Sequence, residues 1–407
     1  MTTTDPLLRP HQPLAGKTVL LGVSGGIAAY KAADLASNLV QLGADVHVLM
    51  TSTATSFIAP GTFAALTQNQ VHDNVLERWH QGFAGHITLA QTADAFIIAP
   101  ATANTLANLS LGLANEIIGT TALATYAPLL LAPAMEHAMF HHPATQQHLA
   151  TLTARGATII GPESGRLASG EYGDGRLAPV TDLTGAVRKA IGQSGVLAGK
   201  RITVTAGGTH ERLDPVRFLG NGSSGRMGYA IAQAAIDLGA DVTLISGPTA
   251  LPYPYGMTVI PIESADEMYT AVQEQAKRAD AIVMTAAVAD FRPEQYATEK
   301  IKKTVGKDVM QLDLVRNPDI IGSLKAKSLL KIGFAAETNN HLENGRAKLS
   351  AKGLDMVIVN DAAATIGAKV SQATILTADA EPEPLPLMTK ERLAAEIVQR
   401  MAELIRQ

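Results

Sequence analysis

The 407-residue sequence contains no cysteine and a single tryptophan, and aromatic residues make up 4% of it. Without cysteine there are no disulfides, no thiolate zinc ligands, and no thiol to act as a nucleophile or acid. No apolar run reaches the roughly 18 residues of a membrane span. The Pro-containing N-terminus lacks the apolar core of a signal peptide, so we expect a tail on a cytoplasmic protein.

Basic residues are scarce in the first half of the chain, where no Lys or Arg lies between Arg78 and Arg155. A solvated surface usually carries more charge, which indicates that this stretch is buried or covered by other subunits. The net charge of −4 and the pI near 6.3 disfavour nucleic acid as the main partner. The sequence therefore predicts a homo-oligomer that acts on small molecules, with no nucleic-acid or membrane partner.

The two halves of the chain begin with the same pattern, an apolar run that ends in a glycine turn. The first run, GKTVLLGVSGG, begins at Gly16, and the second, GKRITVTAGGT, begins at Gly199. Apolar strands alternate with helices after both runs, which is typical of parallel sheets covered on both faces. The predicted fold class is α/β, with two Rossmann-like parallel-sheet domains at residues 1–195 and 196–407.

Two segments interrupt this pattern. The second half has 13 extra residues between its first strand and first helix, within HERLDPVRFLGNGSSG, where we expect a substrate loop. Residues 161–179 are polar and rich in glycine, which predicts a mobile flap.

Hydroxyl and amide side chains follow the strands of the first half, at the positions where doubly wound sheets bind ligands. The first turn is not GxGxxG, and no acidic residue follows the second strand as a dinucleotide site requires. Hydroxyls and free helix amides suit a phosphate and a ribityl chain, which favours FMN. Tight strand–helix packing is the alternative role for the glycines. The predicted FMN residues are Ser24, Gly25, Gly26, Ile27, Thr51, Thr53, Thr102 and Asn104.

The second half carries conspicuous lysines. Lys300 lies in EKIKK, and Lys348 and Lys352 lie four residues apart, on one face of a predicted helix. Like charges at this spacing repel each other unless an anion lies between them. A triphosphate site and a solvated basic face are the two interpretations.

Taken together, the motifs resemble the bifunctional phosphopantothenoylcysteine decarboxylase/phosphopantothenate-cysteine ligase family of coenzyme A biosynthesis, from about Gly16 to the C-terminus. In the first half the matching motifs are GVSGGIAAYK, GHITLA, APATANTLA and PAM. In the second they are TAGGTHERLDPVRFLGNGSSGRMG, TAAVADF, EKIKK, NPDI, GFAAETNN and VND. A collinear series is far more specific than any lone motif.

The resemblance implies two consecutive reactions. CTP and a divalent cation such as Mg²⁺ would activate phosphopantothenate as an acyl cytidylate that cysteine's amine attacks. FMN-dependent oxidative decarboxylation of the product would then give phosphopantetheine. The family also implies a dodecamer in which the ligase domains form dimers.

The same resemblance implies roles for residues of the second half. Asn221 would bind the acyl cytidylate, and Asp290 the cytidine ribose. The lysines would meet the triphosphate and the charge of the transition state, with Lys300 catalytic. Arg226 stands where the family usually has Lys, which keeps the charge but not the geometry. The remaining pocket residues would be Ala286, Asn317, Pro318, Asp319, Ile320, Phe334, Lys348 and Lys352.

In the first half, His86 matches the family's catalytic base. The flavin would first oxidise the substrate thiol, because direct loss of CO₂ from cysteine would leave an unstabilised carbanion.

Two catalytic positions depart from the family pattern. Glu136 replaces the Asn that holds the substrate carboxylate, so it is either protonated or turned away, with His137 or another group in its place. Ser169 replaces the flap Cys that donates the last proton, and an alcohol is a much weaker acid than a thiol. Some family members, the mycobacterial ones included, lack this Cys and remain bifunctional.

Another group therefore has to deliver the last proton. The hypothesis is that Glu171, Tyr172 or Asp174 of the flap, or Glu136, does so. The alternative functions are a ligase fused to an FMN-binding domain that does not complete decarboxylation, and a non-enzymatic flavoprotein that binds partners.

Overall fold

The computed structural model describes residues 6–75, 85–302, 309–325, 328–337, 339–361 and 368–406. The chain forms two compact units. The first unit is Gln12–Ile191, and the second unit is Met1–His11 together with Gly192–Gln407. Within the described ranges, no helix combines the length and the apolar character that crossing a membrane requires.

The first unit is built on a five-stranded parallel sheet with the order β2-β1-β3-β4-β5. Its strands are β1 (Thr18–Val23), β2 (Asp45–Met50), β3 (Ala95–Ala101), β4 (Leu129–Pro133) and β5 (Thr158–Ile159). Every residue of β3 is buried, as expected of a strand covered on both faces. The chain reverses its direction of strand addition between β1 and β3, which makes their carboxyl ends the expected ligand site.

Helices cover this sheet, and an antiparallel hairpin follows its last strand. The helices are α1 (Tyr30–Gln41), α2 (Pro60–Thr67), α3 (Gly85–Thr92), α4 (Ala103–Leu111), α5 (Ile117–Ala124), α6 (His137–Phe140), α7 (Pro143–Ala154) and α8 (Val180–Gly192). The hairpin consists of β6 (Glu163–Arg166) and β7 (Tyr172–Arg176). It lies within the segment predicted as a flap, and we refer to it as the flap hairpin.

The second unit has a larger sheet with the order β12-β11-β8-β13-β16-β17-β19-β20. Its strands are β8 (Arg201–Ala206), β11 (Asp241–Ser246), β12 (Thr258–Pro261), β13 (Ala281–Met284), β16 (Leu330–Glu337), β17 (Met356–Asp361), β19 (Ala373–Thr377) and β20 (Glu383–Pro384). The first six in spatial order are parallel. The direction of strand addition reverses between β8 and β13, which marks a second expected ligand site.

The predicted α/β class with two Rossmann-like sheets is confirmed, with one addition. Strands β19 and β20 are antiparallel to their neighbours. Residues 362–372 separate β17 from β19, and this connection is shorter than the dozen or more residues that a parallel crossover takes. The chain therefore turns back along the edge of the sheet.

Two groups of helices cover opposite faces of the second sheet. The helices are α9 (Arg226–Asp237), α10 (Ala265–Ala276), α11 (His341–Lys352) and α12 (Lys390–Arg406). One apolar core contains Ile236 of α9 and Met401 of α12, whereas the other contains Met268 of α10 and Leu349 of α11.

Short antiparallel pairs complete the second unit. They are β9 (Glu211–Arg212) with β10 (Phe218–Leu219), β14 (Phe291–Pro293) with β15 (Leu314–Arg316), and β18 (Val370–Ser371) with β21 (Met388–Thr389). The first pair forms within the 13-residue insertion that was predicted to be a substrate loop.

The prediction of an N-terminal tail was wrong for residues 6–11. Leu7 packs against the core of the second unit. The guanidinium of Arg392 on α12 donates hydrogen bonds to the carbonyl oxygens of Arg9 and Pro10, at 3.1 and 3.3 Å. This short segment is therefore part of the second unit.

Candidate active sites

A cavity of about 1100 Å³ opens at the carboxyl edge of the first sheet and is lined by residues that follow β1, β2 and β3. The cavity lies where the direction of strand addition reverses between β1 and β3, which is where a doubly wound sheet is expected to bind its ligand. Most of the residues predicted for FMN line it. They are Gly25, Gly26, Ile27, Thr51, Thr53, Thr102 and Asn104.

Ser24 is the exception, because it is fully buried behind the cavity wall. Its hydroxyl donates to the carbonyl oxygen of Pro100 at 2.7 Å and accepts from the backbone N–H of Thr102 at 3.0 Å. Thr102 begins α4, where its own hydroxyl accepts the N–H of Thr105 at 3.4 Å. Ser24 thus ties the end of β1 to the end of β3 and positions Thr102.

The glycine turn is also required by close packing. A Cβ at Gly25 would lie 2.5 Å from the side chain of Thr53 and 2.9 Å from its backbone. A side chain at Gly25 would therefore push the two cavity-lining segments apart. The packing role that the sequence left open is real here, and it coexists with a place in the cavity wall.

Three cations in the cavity wall were missed by the sequence analysis. They are Lys31 on α1, and Arg166 and Arg176 on the flap hairpin. Such groups bind phosphates and carboxylates, with Arg able to do so bidentately. Lys31 closes the GVSGGIAAYK motif and the two arginines end the two flap strands, which are the signals that point to them.

Two carboxyl groups also line the cavity. Glu136 begins α6, and its side chain accepts the N–H of His137 at 3.2 Å. Glu116 precedes α5, and its Oε1 is buried without a hydrogen-bond partner among the described residues. Burial raises the pKa of Glu116, although a hydrogen bond with Asn108 opposes the change. No motif in the sequence pointed to Glu116.

The flap residues considered as proton donors are not among the described residues that line the cavity. Ser169 is exposed in the turn of the flap hairpin, where its hydroxyl accepts the N–H of Glu171 at 3.2 Å. Glu171 and Tyr172 are exposed as well. Within a single chain, the structure therefore does not bring Ser169, Glu171, Tyr172 or Asp174 to the cavity.

Asp174 instead attaches the flap hairpin to α6. Its carboxylate accepts from the hydroxyl of Ser164 and lies 3.0 Å from Nε2 of His141, and these contacts hold its pKa below the usual range. Its backbone N–H donates to Nδ1 of His137 at 3.1 Å. His137 therefore contacts the flap hairpin, and it is not among the described residues that line the cavity. Ligand atoms of His137, His141 and Asp174 lie within 4.8 Å of one another, close enough to share a metal ion.

His86 lies in the first turn of α3, apart from the cavity. It is half-buried, and its Nδ1 has no hydrogen-bond partner among the described residues. It does not belong to the described wall of the cavity. The structure of one chain thus leaves the predicted base and the predicted flavin site unconnected.

A second cavity, of about 230 Å³, is lined by residues that follow β13, by residues of β16 and β17, and by the turn before α9. Asn221 lies at its edge. Its Nδ2 donates to the carbonyl oxygen of Ala287 at 2.7 Å, and its Oδ1 accepts the N–H of Ser223 at 3.3 Å. Asn221 therefore joins the predicted substrate loop to the segment that follows β13.

The residues predicted for cytidine follow β13 and β15. The N–H of Ala286 donates to the Thr205 hydroxyl at 3.1 Å, and Asp290 is exposed. Asn317 is buried, and its amide donates to the carbonyl oxygen of Ala289 at 2.8 Å. Its backbone N–H donates to the carbonyl oxygen of Asp290 at 2.8 Å. Asn317 thus positions Asp290 through the backbone.

The other predicted nucleotide residues next to Asn317 lie partly in the core and partly at the surface. Ile320 is buried in the core beneath α10 and α11, so its side chain is structural. Pro318 is half-buried, and Asp319 is exposed.

The two lysines of α11 already have oxygen partners. Lys348 Nζ donates to the carbonyl oxygen of Phe334 at 2.6 Å, and Lys352 Nζ lies 3.0 Å from Asp319 Oδ1. Neither a triphosphate nor a solvated basic face is needed to explain how they avoid repelling each other. Both remain near the predicted nucleotide residues.

Lys300 is exposed, and its backbone is held by the insertion between β8 and α9. The N–H of Ile301 donates to Asp214 at 3.1 Å, and its carbonyl oxygen accepts from Arg217. Asp214 is fully buried and also accepts the N–H groups of Val216 and Arg217. Burial would raise the pKa of Asp214, but these backbone hydrogen bonds and the Arg217 charge lower it below the usual range. The signal in the sequence was the Asp-Pro pair, which is typical of a turn.

Matches to known proteins cover nearly the whole chain. Residues 8–192 match the family described as flavoprotein, and residues 197–405 match the DNA/pantothenate metabolism flavoprotein C-terminal domain. The coenzyme A biosynthesis bifunctional protein CoaBC of Vibrio parahaemolyticus is 44% identical over 400 residues, which are 97% of this chain and 100% of that protein. The protein of the same name from Bacillus subtilis is 42% identical over 402 residues, or 97% and 98% of the two chains.

A solved structure, the C-terminal domain of coenzyme A biosynthesis bifunctional protein CoaBC, is 40% identical, with a TM-score of 0.46. It covers 52% of this chain and 99% of that domain. The family assignment is independent of this structure and comes from the two full-length matches. The chain belongs to the family of bifunctional coenzyme A biosynthesis proteins.

Proposed function

We propose that this chain joins phosphopantothenate to cysteine at the expense of CTP, and then decarboxylates the product to phosphopantetheine with FMN. The ligase is assigned to residues 196–407 together with residues 6–11, and the decarboxylase to residues 12–195. The observation that carries the proposal is the pair of cavities, one in each unit, in a chain that matches bifunctional relatives over 97% of its length. Two separate ligand sites in one chain are expected of an enzyme that catalyses two reactions rather than a single reaction.

In the ligase reaction, a carboxylate oxygen of phosphopantothenate attacks the α-phosphorus of CTP, and pyrophosphate leaves. The amine of cysteine then attacks the acyl carbon and CMP leaves, so that an amide bond forms. Asn221 holds the acyl cytidylate where the substrate loop meets β13, and Asp290 binds the ribose. Lys300, Lys348 and Lys352 stabilise the charge on the phosphates, together with a divalent cation such as Mg²⁺.

The first cavity fits FMN by its chemistry. Threonine hydroxyls, Asn104 and the amides at the start of α4 suit a phosphate and a ribityl chain, and Lys31 supplies a positive charge. When bound, the flavin would supply the two-electron oxidation of the substrate thiol and the later return of those electrons. The flap arginines, Arg166 and Arg176, would hold the anionic groups of the substrate.

His86 takes the thiol proton in this proposal. Because it does not line the cavity of its own chain, it acts on the cavity of a second copy. This role agrees with a homo-oligomer assembled through the stretch without Lys or Arg between Arg78 and Arg155. A dodecamer with dimeric ligase domains, working in the cytoplasm, belongs to the same proposal.

Glu116 and Glu136 are the proposed sources of the last proton, which the family takes from a flap Cys. Both line the cavity, whereas Ser169 does not. The raised pKa of Glu116 favours the protonated form that a proton donor requires. Glu136 in its protonated form would also accept the substrate carboxylate without repelling it.

The test uses the purified full-length protein. We expect a flavin absorbance spectrum, and release of pyrophosphate from CTP only when phosphopantothenate is present. Anaerobic turnover with cysteine should give phosphopantetheine by mass. Accumulation of a species two hydrogens lighter would contradict complete decarboxylation and favour the ligase fused to an incomplete decarboxylase. A protein without either activity would favour the interaction module.

A further inference from the structure

The second cavity contains a cationic corner whose residues lie outside α11. Lys390 at the start of α12 and Arg226 at the start of α9 both line it. Lys390 is 7% exposed, a degree of burial that is rare for lysine. Burial and the nearby Arg226 charge both lower the pKa of Lys390. An anion placed between the two cations would stabilise both charges.

Two further features of this corner provide hydrogen-bond donors. The hydroxyl of Ser371 lines the cavity, is 2% exposed, and has no hydrogen-bond partner among the described residues. The turn Ser223–Gly225 leads into α9, a 12-residue helix whose first N–H groups have no partner within the helix. Helix amides, a hydroxyl and two cations are together the donor set of a phosphate site.

Part of the remaining wall is apolar. Met227, Ile358 and Leu393 line the same cavity. Its volume of about 230 Å³ lies below the roughly 300–1,000 Å³ of pockets that enclose a whole small molecule. The cavity therefore suits one end of an extended ligand, namely an anionic group next to a branched hydrocarbon.

Phosphopantothenate has such an end, because its phosphate is separated by one methylene from a carbon bearing two methyl groups. Its other end is the carboxylate that must reach the nucleotide. The nucleotide residues Lys348 and Lys352 belong to α11, on the opposite face of the sheet from α9 and α12. Asn221 lies in the wall of the cavity and contacts the segment after β13.

We infer that Lys390, together with Arg226 and Ser371, binds the phosphate of phosphopantothenate and makes the ligase discriminate against unphosphorylated pantothenate. The inference rests on the proposed ligase function. The dimethyl carbon lies against Met227 and Leu393, and the carboxylate extends past Asn221 toward the nucleotide. Lys390 is a binding residue that takes no part in the bond changes.

The test is the Lys390→Met variant of the full-length protein, which removes the charge but keeps most of the side chain's length. The KM for phosphopantothenate should rise on the order of 100-fold, equivalent to about 2.8 kcal/mol, whereas the KM for CTP stays unchanged. The kcat/KM for pantothenate should change little, so the preference for the phosphorylated substrate falls by the same factor. Lys390→Arg should restore part of it.

Arg392→Met is the matched control. It removes a positive charge from the same helical turn, but Arg392 contacts the carbonyl oxygens of Arg9 and Pro10 and does not line the cavity. It should leave the preference unchanged. If Lys390→Met does not fold, as judged by its melting curve, Ser371→Ala serves as the second variant and should weaken phosphopantothenate binding by roughly 5- to 10-fold.

The outcomes separate the two claims. If the wild type is active and Lys390→Met keeps its substrate preference, the phosphate assignment is overturned. If the substitution raises the KM for CTP and leaves that for phosphopantothenate unchanged, Lys390 belongs to the nucleotide site, and the assignment is again overturned. If the wild type releases no pyrophosphate from CTP with phosphopantothenate, the ligase function itself fails.

Discussion

Both units place their candidate sites at the carboxyl ends of parallel strands, yet they complete these sites differently. In the second unit, candidate residues have partners within one chain: Lys352 pairs with Asp319, and Asn221 contacts the segment after β13 at Ala287. In the first unit, Nδ1 of His86 and Oε1 of Glu116 are buried without partners among the described residues. The second site also contains such an atom, the Ser371 hydroxyl. The two sites differ in that the role proposed for His86 requires a second copy of the chain, whereas the roles proposed for the second unit do not.

The two units also differ in where their extra segments are inserted along the chain. The second unit inserts the β9–β10 pair between its first strand and first helix, directly beside the switch point. The first unit adds the flap hairpin after its last strand and attaches it to α6 through Asp174. Two similar sheets thus acquire different chemistry from segments outside the repeating pattern.

The largest effect should come from His86→Asn, and it should divide the two activities. Loss of the base should slow decarboxylation by about 10²- to 10⁴-fold, while pyrophosphate release by the ligase stays at the wild-type rate. Separate assays of CO₂ and pyrophosphate would check this. Mixing His86→Asn with a variant whose flavin cavity is blocked should restore activity if the residue acts on a neighbouring copy. If the variant lost both activities equally, His86 would not act in the decarboxylase site alone.

Asn221→Ala should have the reciprocal effect. Removing the amide should lower the ligase rate by about 10²-fold, because the acyl cytidylate loses a contact and the substrate loop loses its tie to Ala287. The flavin spectrum and the decarboxylation of externally supplied phosphopantothenoylcysteine should stay unchanged. A variant that keeps full ligase activity would remove Asn221 from the site.

Glu116→Gln should affect only the last step of decarboxylation. During anaerobic turnover, a product that lacks two hydrogens should accumulate, as detected by mass spectrometry. If Glu116 is the donor, more of this product should accumulate with Glu116→Gln than with Glu136→Gln. Because burial raises the pKa of Glu116, its side chain in the wild type should stay protonated up to a higher pH than an ordinary carboxyl group does. The step should slow as pH rises through that pKa, and Glu116→Gln should lose this dependence. The reverse ranking of the two variants would assign the proton to Glu136.

Asp214→Asn should have a smaller effect, confined to the ligase. The amide keeps one acceptor but loses the charge facing Arg217, so the Lys300 segment is held less firmly and the KM for CTP rises by a few-fold. The pKa of Asp214 is lowered in the folded state, so its stabilisation is present above the ordinary carboxyl pKa. That stabilisation is lost as pH falls through the lowered value. The melting temperatures of wild type and variant should therefore converge under acid conditions, and a constant gap would contradict this role.

The smallest effect is expected at a surface ion pair that lines neither cavity. Arg400 contacts Glu383 and Glu396. Such exposed pairs contribute about 0.2–1 kcal/mol, and Arg400→Met should change neither activity. Its melting temperature provides the baseline for the other variants.

The sequence predicted well which strand ends and turns form both sites, because strands followed by glycine turns mark the carboxyl edge of a parallel sheet. Thr102 and Asn221 lie at such edges, as expected. Ser24 and Asn317 carried the right motif, but their side chains are buried and act through other residues. Glu116 and Lys390 were missed, since burial of a single charged residue depends on tertiary packing that no local pattern reports.

The short segment at residues 6–11 affects how the protein is made. Its contacts with Arg392 join positions 383 residues apart in the chain, so they cannot form until synthesis is nearly finished. The first unit, at residues 12–191, emerges from the ribosome between these two pieces and has every residue it needs long before. Biogenesis should therefore be sequential: the flavin-family half folds during translation, and the other half closes only when the last helix is released.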